Sequence, residues 1–327
     1  MMLQRRHFLA ASASLLATPA VAQERPFRIM MLLTRGWEEA CDGFRDHFAA
    51  RRIPLELIVR DIATDMRLVP GLVQEVRQVR PDLVYVWGTG LAVAALGPWD
   101  AVDPTRHITG VPVVFNIVTD PVGNRLIRSN TDPGRPVTGT EYIASVDVQM
   151  RAMARYRPFT RVATIFNPNE SNSRSVVAQV RTLLGNNLVE LPVALNSAGQ
   201  PDPDSIPTAL MQARQSGVDW LYIPPDTFLN NHRVALTRGA LVLGLPLFAA
   251  TERFVLFGEG LAGLVSRYYG VGAFTGYKAE QILRRGRPPE SIPVETLTRM
   301  SYLIRMESAR HLNFYPPVGL LRTAETA

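Results

Sequence analysis

Short apolar or β-branched runs alternate with amphipathic stretches along most of this chain. Residues 29–33, 55–59, 83–87 and 113–118 are apolar almost throughout, as strands buried on both faces are. Between them, residues 69–79 carry apolar positions at helical spacing. The second half repeats the arrangement, with strands expected at 162–166, 189–193, 220–223 and 247–249. Strands alternating with helices predict an α/β fold with parallel sheets covered by helices on both faces. The halves also echo each other. Arg28-Ile29 returns as Arg161-Val162, Asp82-Leu83-Val84-Tyr85-Val86 as Asp219-Trp220-Leu221-Tyr222-Ile223, and Gly110-Val111-Pro112-Val113 as Gly244-Leu245-Pro246-Leu247. The shifts are 133 (28 to 161), 137 (82 to 219) and 134 (110 to 244). Three echoes near one shift predict two similarly built, doubly wound domains with a cleft between them.

In open α/β sheets, ligands gather beyond the carboxyl ends of the strands, where helix N-termini point. The segments there are Thr34-Arg35-Gly36-Trp37, Trp87-Gly88-Thr89-Gly90, Thr119-Asp120-Pro121, Asn167 through Ser173, Pro225-Asp226-Thr227 and Thr251-Glu252-Arg253. Gly88-Thr89-Gly90 and Ser171-Asn172-Ser173 open helical patterns, where free N–H groups and the helix dipole favour a carboxylate or phosphate. The same residues also serve as ordinary N-caps. Asp120, Asp226 and Glu252 are acidic counterparts for a ligand ammonium. Donors on one side and carboxylates on the other suit a zwitterion, that is, an amino acid. Trp37, Trp87, Phe228, Tyr268 and Tyr269 supply rings for stacking. The candidate ligand-binding set is therefore Trp37, Trp87, Gly88, Thr89, Thr119, Asp120, Glu170, Ser171, Asn172, Ser173, Asp226, Thr227, Glu252 and Tyr268.

Composition narrows the alternatives. The formal charge is +6, its basic residues are scattered, and one of them, Lys278, is a lysine. No basic stripe interleaved with aromatics supports nucleic-acid binding. Gly88-Thr89-Gly90 is half of a dinucleotide fingerprint, but it follows the third strand instead of the first. No phosphate loop with its lysine occurs, the five histidines are unpaired at metal-ligand spacing, and no nucleophile elbow is present. No cofactor, metal or catalytic group is expected. The single cysteine, Cys41, falls on one helical face with Trp37, Phe44 and Phe48 and reads as a buried apolar residue.

The first residues, MMLQRRHFLAASASLLATPAVAQE, combine an arginine pair, a short apolar stretch and the small residues Ala20-Val21-Ala22. They read as a cleavable export signal over residues 1–22, with Arg5-Arg6 preceding Phe8-Leu9 in the manner of twin-arginine signals. Removing its two arginines leaves a charge of +4 (six minus two).

Several segments carry a resemblance: GVPVVFNIVTDPVGNRLI, NPNESNS, DWLYIPPDT and GYKAEQILRRGRPPESIPVET. Together, from about Phe27 to Pro317, the chain resembles the tryptophan/tyrosine-type family of ABC-transporter substrate-binding proteins. The resemblance implies a type I periplasmic-binding-protein fold, two Rossmann-like lobes joined by a multi-strand hinge. It implies lobe 1 at 25–142 plus about 268–293, and lobe 2 at 143–267 plus about 294–322. The segment GRPVTGTEY, ending near Tyr142, is then the first crossing, and residues 258–272 carry the return. Function follows as a monomeric periplasmic receptor that binds an amino acid, aromatic or branched, closes around it, and delivers it to an ABC permease in the cytoplasmic membrane. Carried over by position, the cleft segments fall on Gly88-Thr89, Thr119-Asp120, Glu170 to Ser173, Asp226-Thr227 and the surroundings of Tyr268. Trp87-Gly88-Thr89-Gly90 departs from the small residues with Thr-Pro or Thr-Ser that members often show there. A ligand-sensing subunit for a receptor kinase, or a secreted α/β enzyme acting on a small anion, are the alternative readings.

Overall fold

The structure, a computed structural model, describes residues 25–327. The expected export signal lies outside the described residues. The first half runs β1 (Phe27–Leu33), α1 (Glu39–Ala50), β2 (Leu55–Asp61), α2 (Val69–Val79), β3 (Leu83–Trp87), α3 (Thr89–Leu96), β4 (Val113–Val118) and β5 (Val137–Glu141). The chain then forms α4 (Val146–Tyr156), β6 (Val162–Phe166), α5 (Ser171–Leu184), β7 (Leu188–Pro192), α6 (Ile206–Gln215) and β8 (Trp220–Ile223). It continues with α7 (Thr227–Asn231), α8 (Arg233–Val242), β9 (Leu247–Ala249), α9 (Arg253–Leu256), β10 (Ala262–Val265) and α10 (Tyr268–Leu283). The last elements are β11 (Ser301–Ile304), α11 (Met306–His311), α12 (Val318–Leu321) and β12 (Glu325–Thr326).

Two sheets result. One has the order β2-β1-β3-β4-β5, and the other β12-β11-β10-β9-β8-β6-β7. The run β7-β6-β8-β9-β10 copies the first sheet strand for strand, and all its pairs are parallel. Each strand expected from the sequence is present; β1 begins two residues early, β2 ends two late and β7 is shifted back by one, and β2 and β7, expected as buried, are edge strands left partly exposed.

The sequence echoes have local physical causes. Asp82 accepts the Arg28 N–H at 2.8 Å, and Asp219 accepts the Arg161 N–H at 2.9 Å. Each aspartate thus joins the entrances of two neighbouring strands. Gly110 and Gly244 adopt φ of 74° and 67°, a left-handed turn that glycine enters without penalty. The prolines two residues on, Pro112 and Pro246, accept from Val84 and Leu221, each at 2.9 Å, and start the next strand pairing.

The chain passes between the sheets three times. It leaves β5 through Tyr142–Ser145 for α4, leaves β10 through Ser266-Arg267 for α10, and returns through residues 296–300 to β11. Helix α10 belongs to the first sheet's side, packed along α1. One apolar core continues through the first crossing, from Phe44 and Tyr85 to Tyr142, Val146, Tyr156 and Trp220. Cys41 is buried within it.

Candidate functional site

Between the lobes lies a cavity of about 350 Å³, within the range of small-molecule sites. Its walls are the turns that follow the strands. The first lobe contributes Thr34 and Arg35 after β1, Thr64 and Met66 after β2, Trp87 through Leu91 after β3, and Ile117 and Thr119 at the end of β4. The second contributes Asn169 through Asn172, Pro225 through Thr227, Asn230 and Thr251. Tyr142 and Tyr268 stand on two of the crossings.

The first-lobe wall is held by short-range geometry. Gly88 has φ of 94°, and a Cβ there would lie 2.9 Å from Thr34 Oγ1. That hydroxyl donates to the Trp87 carbonyl at 2.7 Å, so glycine is what lets two strand ends meet. The Thr89 hydroxyl accepts the Thr119 N–H at 3.0 Å and joins the next pair of ends. Strand β4 carries an irregularity between Phe115 and Val118, where Ile117 takes φ of 53°. A β-branched residue is strained there, and the departure from the ladder is what makes Ile117 a wall of the cavity.

In the second lobe, two carboxylates share the start of α7. Asp226 accepts from Leu229 N–H at 2.8 Å, Asn167 N–H at 2.7 Å and the Ser173 hydroxyl at 2.8 Å. Glu170 accepts from the N–H groups of Thr227 and Phe228 at 2.8 and 2.9 Å. The amides of Asn167 and Asn172 complete its shell at 3.2 Å each. Burial, and then repulsion from Glu170, hold the Asp226 carboxyl above the usual carboxylate range. No cation takes part in these contacts among the described residues. The turn expected to grip an anion therefore carries negative charge.

Arg35 forms the opposite electrostatic pole. Its guanidinium packs 4.7 Å from the centroid of the Trp87 ring and pairs with Glu38 at 3.0 Å. Burial opposes this charge, but Tyr268 and Glu38 outweigh it, and its pKa lies above the ordinary arginine value.

Ten of the fourteen candidate residues line the cavity: Trp87, Gly88, Thr89, Thr119, Glu170, Ser171, Asn172, Asp226, Thr227 and Tyr268. The other four do not, and each has a different task. Trp37 is 40% exposed and donates its indole N–H to Asp42 at 2.9 Å. Ser173 sits behind the wall, its single hydroxyl hydrogen within reach of both the Pro225 carbonyl at 2.9 Å and the Asp226 carboxylate at 2.8 Å. Glu252 accepts the Tyr268 N–H at 2.9 Å and pairs with Arg267, fixing the start of α10. Asp120 accepts from Gly123 N–H at 2.9 Å and from Ser175 and Gln179 of α5, across the gap between lobes. Asp120 and Asp226, expected to receive an ammonium, each accept several hydrogen bonds from within the protein. Sequence reasoning passed over Arg35, Ile117, Tyr142 and Asn230. Arg35 stands in a turn that was identified, two residues before the tryptophan chosen from it.

The Asp120 contacts reach from one lobe to the other. Replacing Ser175 and Gln179 together by alanine is expected to favour the open form. Ligand affinity should fall about three- to tenfold, as for loss of one or two hydrogen bonds, and small-angle scattering of the free protein should show a larger radius. An unchanged radius and affinity would mean that these contacts do not hold the lobes.

Known proteins match this geometry. The family described as ABC transporter substrate binding protein matches residues 82–326, more than half of the chain. A tyrosine-binding protein of Clostridioides difficile (strain R20291) is 24% identical over 260 residues, covering 79% of this chain and 71% of its own. A domain from Streptococcus pneumoniae in complex with L-Trp superposes with a TM-score of 0.75 at 20% identity, over 91% of this chain and 99% of that one. A conserved domain protein from Vibrio cholerae reaches 0.79 at 20% identity, over 92% and 99%. With its repeated sheets, three crossings and inter-lobe cavity, the chain belongs to the family of ABC-transporter substrate-binding proteins, as its sequence resemblance implied.

Proposed function

We propose that this protein is an exported receptor that captures an amino acid with an aromatic side chain and presents it to an ABC permease, without chemical turnover. The observation that carries the reading is the cavity itself. It lies between two lobes, with a cation on one, a pair of carboxylates on the other, and Trp87, Tyr142 and Tyr268 in its lining. Opposite charges on the two lobes suit a zwitterion, and the rings suit an apolar side chain. The L-Trp bound by the streptococcal domain and the tyrosine-binding name of the clostridial relative support the same class. The export signal read in residues 1–22 supports a periplasmic location for such a receptor.

The test is a thermal-shift panel of amino acids, small carboxylates, purines and sugars with the mature chain. A ligand at about one hundred times its Kd should stabilise the fold by about 2.7 kcal/mol, which is a shift of roughly 4 °C for a protein of this size. A shift confined to aromatic amino acids supports the reading. A shift with sugars or purines alone keeps a receptor and discards the amino acid.

A further inference from the structure

Arg35 is the only cation lining the cavity among the described residues. Its side chain is 11% exposed. Nε and Nη2 donate to the two oxygens of Glu38, at 3.0 and 3.4 Å, and Nη2 also reaches the Tyr268 hydroxyl at 3.3 Å. Nη1 has no partner among the described residues. Nor does Glu38 neutralise this corner by itself, because Arg253 lies 3.6 Å from the same carboxylate. Glu39, the other acid paired with Arg253, is 43% exposed and so screened by solvent. A third arginine, Arg233, has its pKa lowered first by burial and then by Arg253 and Arg35. Positive charge is thus in excess where the low dielectric makes an unpaired charge expensive.

Two hydroxyls share this corner. Tyr142 leaves β5 on the first crossing, and Tyr268 opens α10 after the second. Their rings meet edge to face at 5.1 Å. Tyr142 is 2% exposed and lines the cavity, and among the described residues its hydroxyl has no partner within hydrogen-bonding geometry. The Tyr268 oxygen accepts from Arg35, which leaves its own hydrogen to donate. Burial raises the pKa of both phenols, so both remain donors at neutral pH. A guanidinium edge and two buried O–H donors match the planar, two-oxygen geometry of a carboxylate. Of the two helix starts considered for that role, that of α5 has Glu170 as its N-cap and Asp226 behind it, which would repel a second carboxylate, while that of α3, at Gly88-Thr89-Gly90, lines the same first-lobe wall as Arg35.

We propose that Arg35, Tyr142 and Tyr268 form a carboxylate subsite at the hinge, which holds the acid end of the ligand against the first lobe. This rests on the receptor reading above and deepens it, because it makes a carboxylate a requirement. The ligand's remainder then points towards Trp87 and the second lobe. Since Tyr142 and Tyr268 stand on two of the three crossings, a bound carboxylate also joins the segments about which the lobes must turn.

The experiment compares L-tyrosine and L-tryptophan with their α-carboxamides by titration calorimetry, on the mature protein and on Arg35→Gln, Arg35→Lys and Tyr142→Phe. The unsubstituted protein should prefer each acid over its amide by at least tenfold. Arg35→Gln should weaken acid binding about tenfold or more and leave amide binding nearly unchanged, so that the preference disappears. Arg35→Lys should keep part of the preference, and Tyr142→Phe should reduce it about threefold. Equal loss of acid and amide binding in Arg35→Gln would assign Arg35 a purely structural role and overturn the subsite, as would unchanged binding of both. Uptake of uncharged solutes alone would overturn the subsite and leave the receptor standing. Conversion of a bound acid into product would instead overturn the receptor reading, and the subsite would survive if Arg35→Gln still lost that acid.

Discussion

Gly272→Ala is expected to cost about 3 kcal/mol of stability, at the upper end of what one inserted methyl does in a packed interior. Helices α1 and α10 cross with their backbones in contact. A Cβ at Gly272 would lie 1.9 Å from the Ala40 carbonyl oxygen and 2.6 Å from its carbon. Facing it, a Cβ at Gly43 would lie 2.0 Å from the Tyr269 carbonyl oxygen. The obstructing atoms belong to the main chain, so no side-chain rotation relieves the clash and the helices must separate. Gly71→Ala in α2 is the control, with nothing within 4 Å of the added carbon. That change should be neutral or stabilise by about 0.5–1 kcal/mol, since alanine is the better helix former. Urea unfolding of the two variants decides the matter. Equal midpoints would show that the crossing yields more easily than its geometry implies. The displacement also matters for function, because α10 begins with Tyr268 at the cavity.

The second large effect is expected at Lys278, the single lysine of the chain. Its ammonium is 1% exposed and donates to the carbonyls of Gly139 at 2.9 Å and Pro293 at 2.5 Å. Glu295, half exposed, lies 3.2 Å away, and the Phe274 ring 4.7 Å. Lys278 thereby ties α10 to β5 and to the segment approaching the third crossing. Lys278→Met keeps the stem's volume but leaves two buried carbonyls unpaired, for a loss of about 2–4 kcal/mol. Arginine brings no rescue, since its planar fork does not fit a site shaped for a compact ammonium.

A pH signature distinguishes this lysine from ordinary packing. Burial is the largest influence on it and brings its pKa down to about 8 from 10.5, despite Glu295. Between those values the unfolded chain holds the proton more firmly than the folded one. Stability contributed by this group therefore rises as the pH climbs from about 8 towards 10.5, and the charge is a cost at neutral pH. The difference in unfolding free energy between the native protein and Lys278→Met should grow across that window. A difference independent of pH would mean that the ammonium keeps an ordinary pKa.

Much of the architecture was legible in the order of residues. Strands buried on both faces need unbroken apolar runs, and the runs at 83–87, 113–118 and 220–223 coincide with β3, β4 and β8. The echoed aspartates and glycines marked equivalent turns because each acts through its own backbone or the adjoining strand. Strands β5 and β10, with the sequences VTGTE and AGLV, escaped the strand pattern. They are short, hold glycine, and draw their stability from neighbours supplied by distant parts of the chain.

The site divides along the same line. Sequence by itself determined which turns surround the cavity, because strand ends are local features and parallel topology gathers them on one edge. Tertiary structure alone decided what each side chain in those turns is free to do. Asp226 takes a hydrogen bond from Asn167, 59 residues earlier, Asp120 from Ser175, 55 residues later, and Glu252 from Tyr268. Each of these acids already has partners within the protein before any ligand arrives. Arg35 faces the cavity while Trp37, two residues on, faces solvent. Tyr142 gained its place from a crossing, and a crossing exists only once both sheets have formed. A residue type announces which bonds it can make, and the partners that compete for them come from wherever the fold brings the chain together.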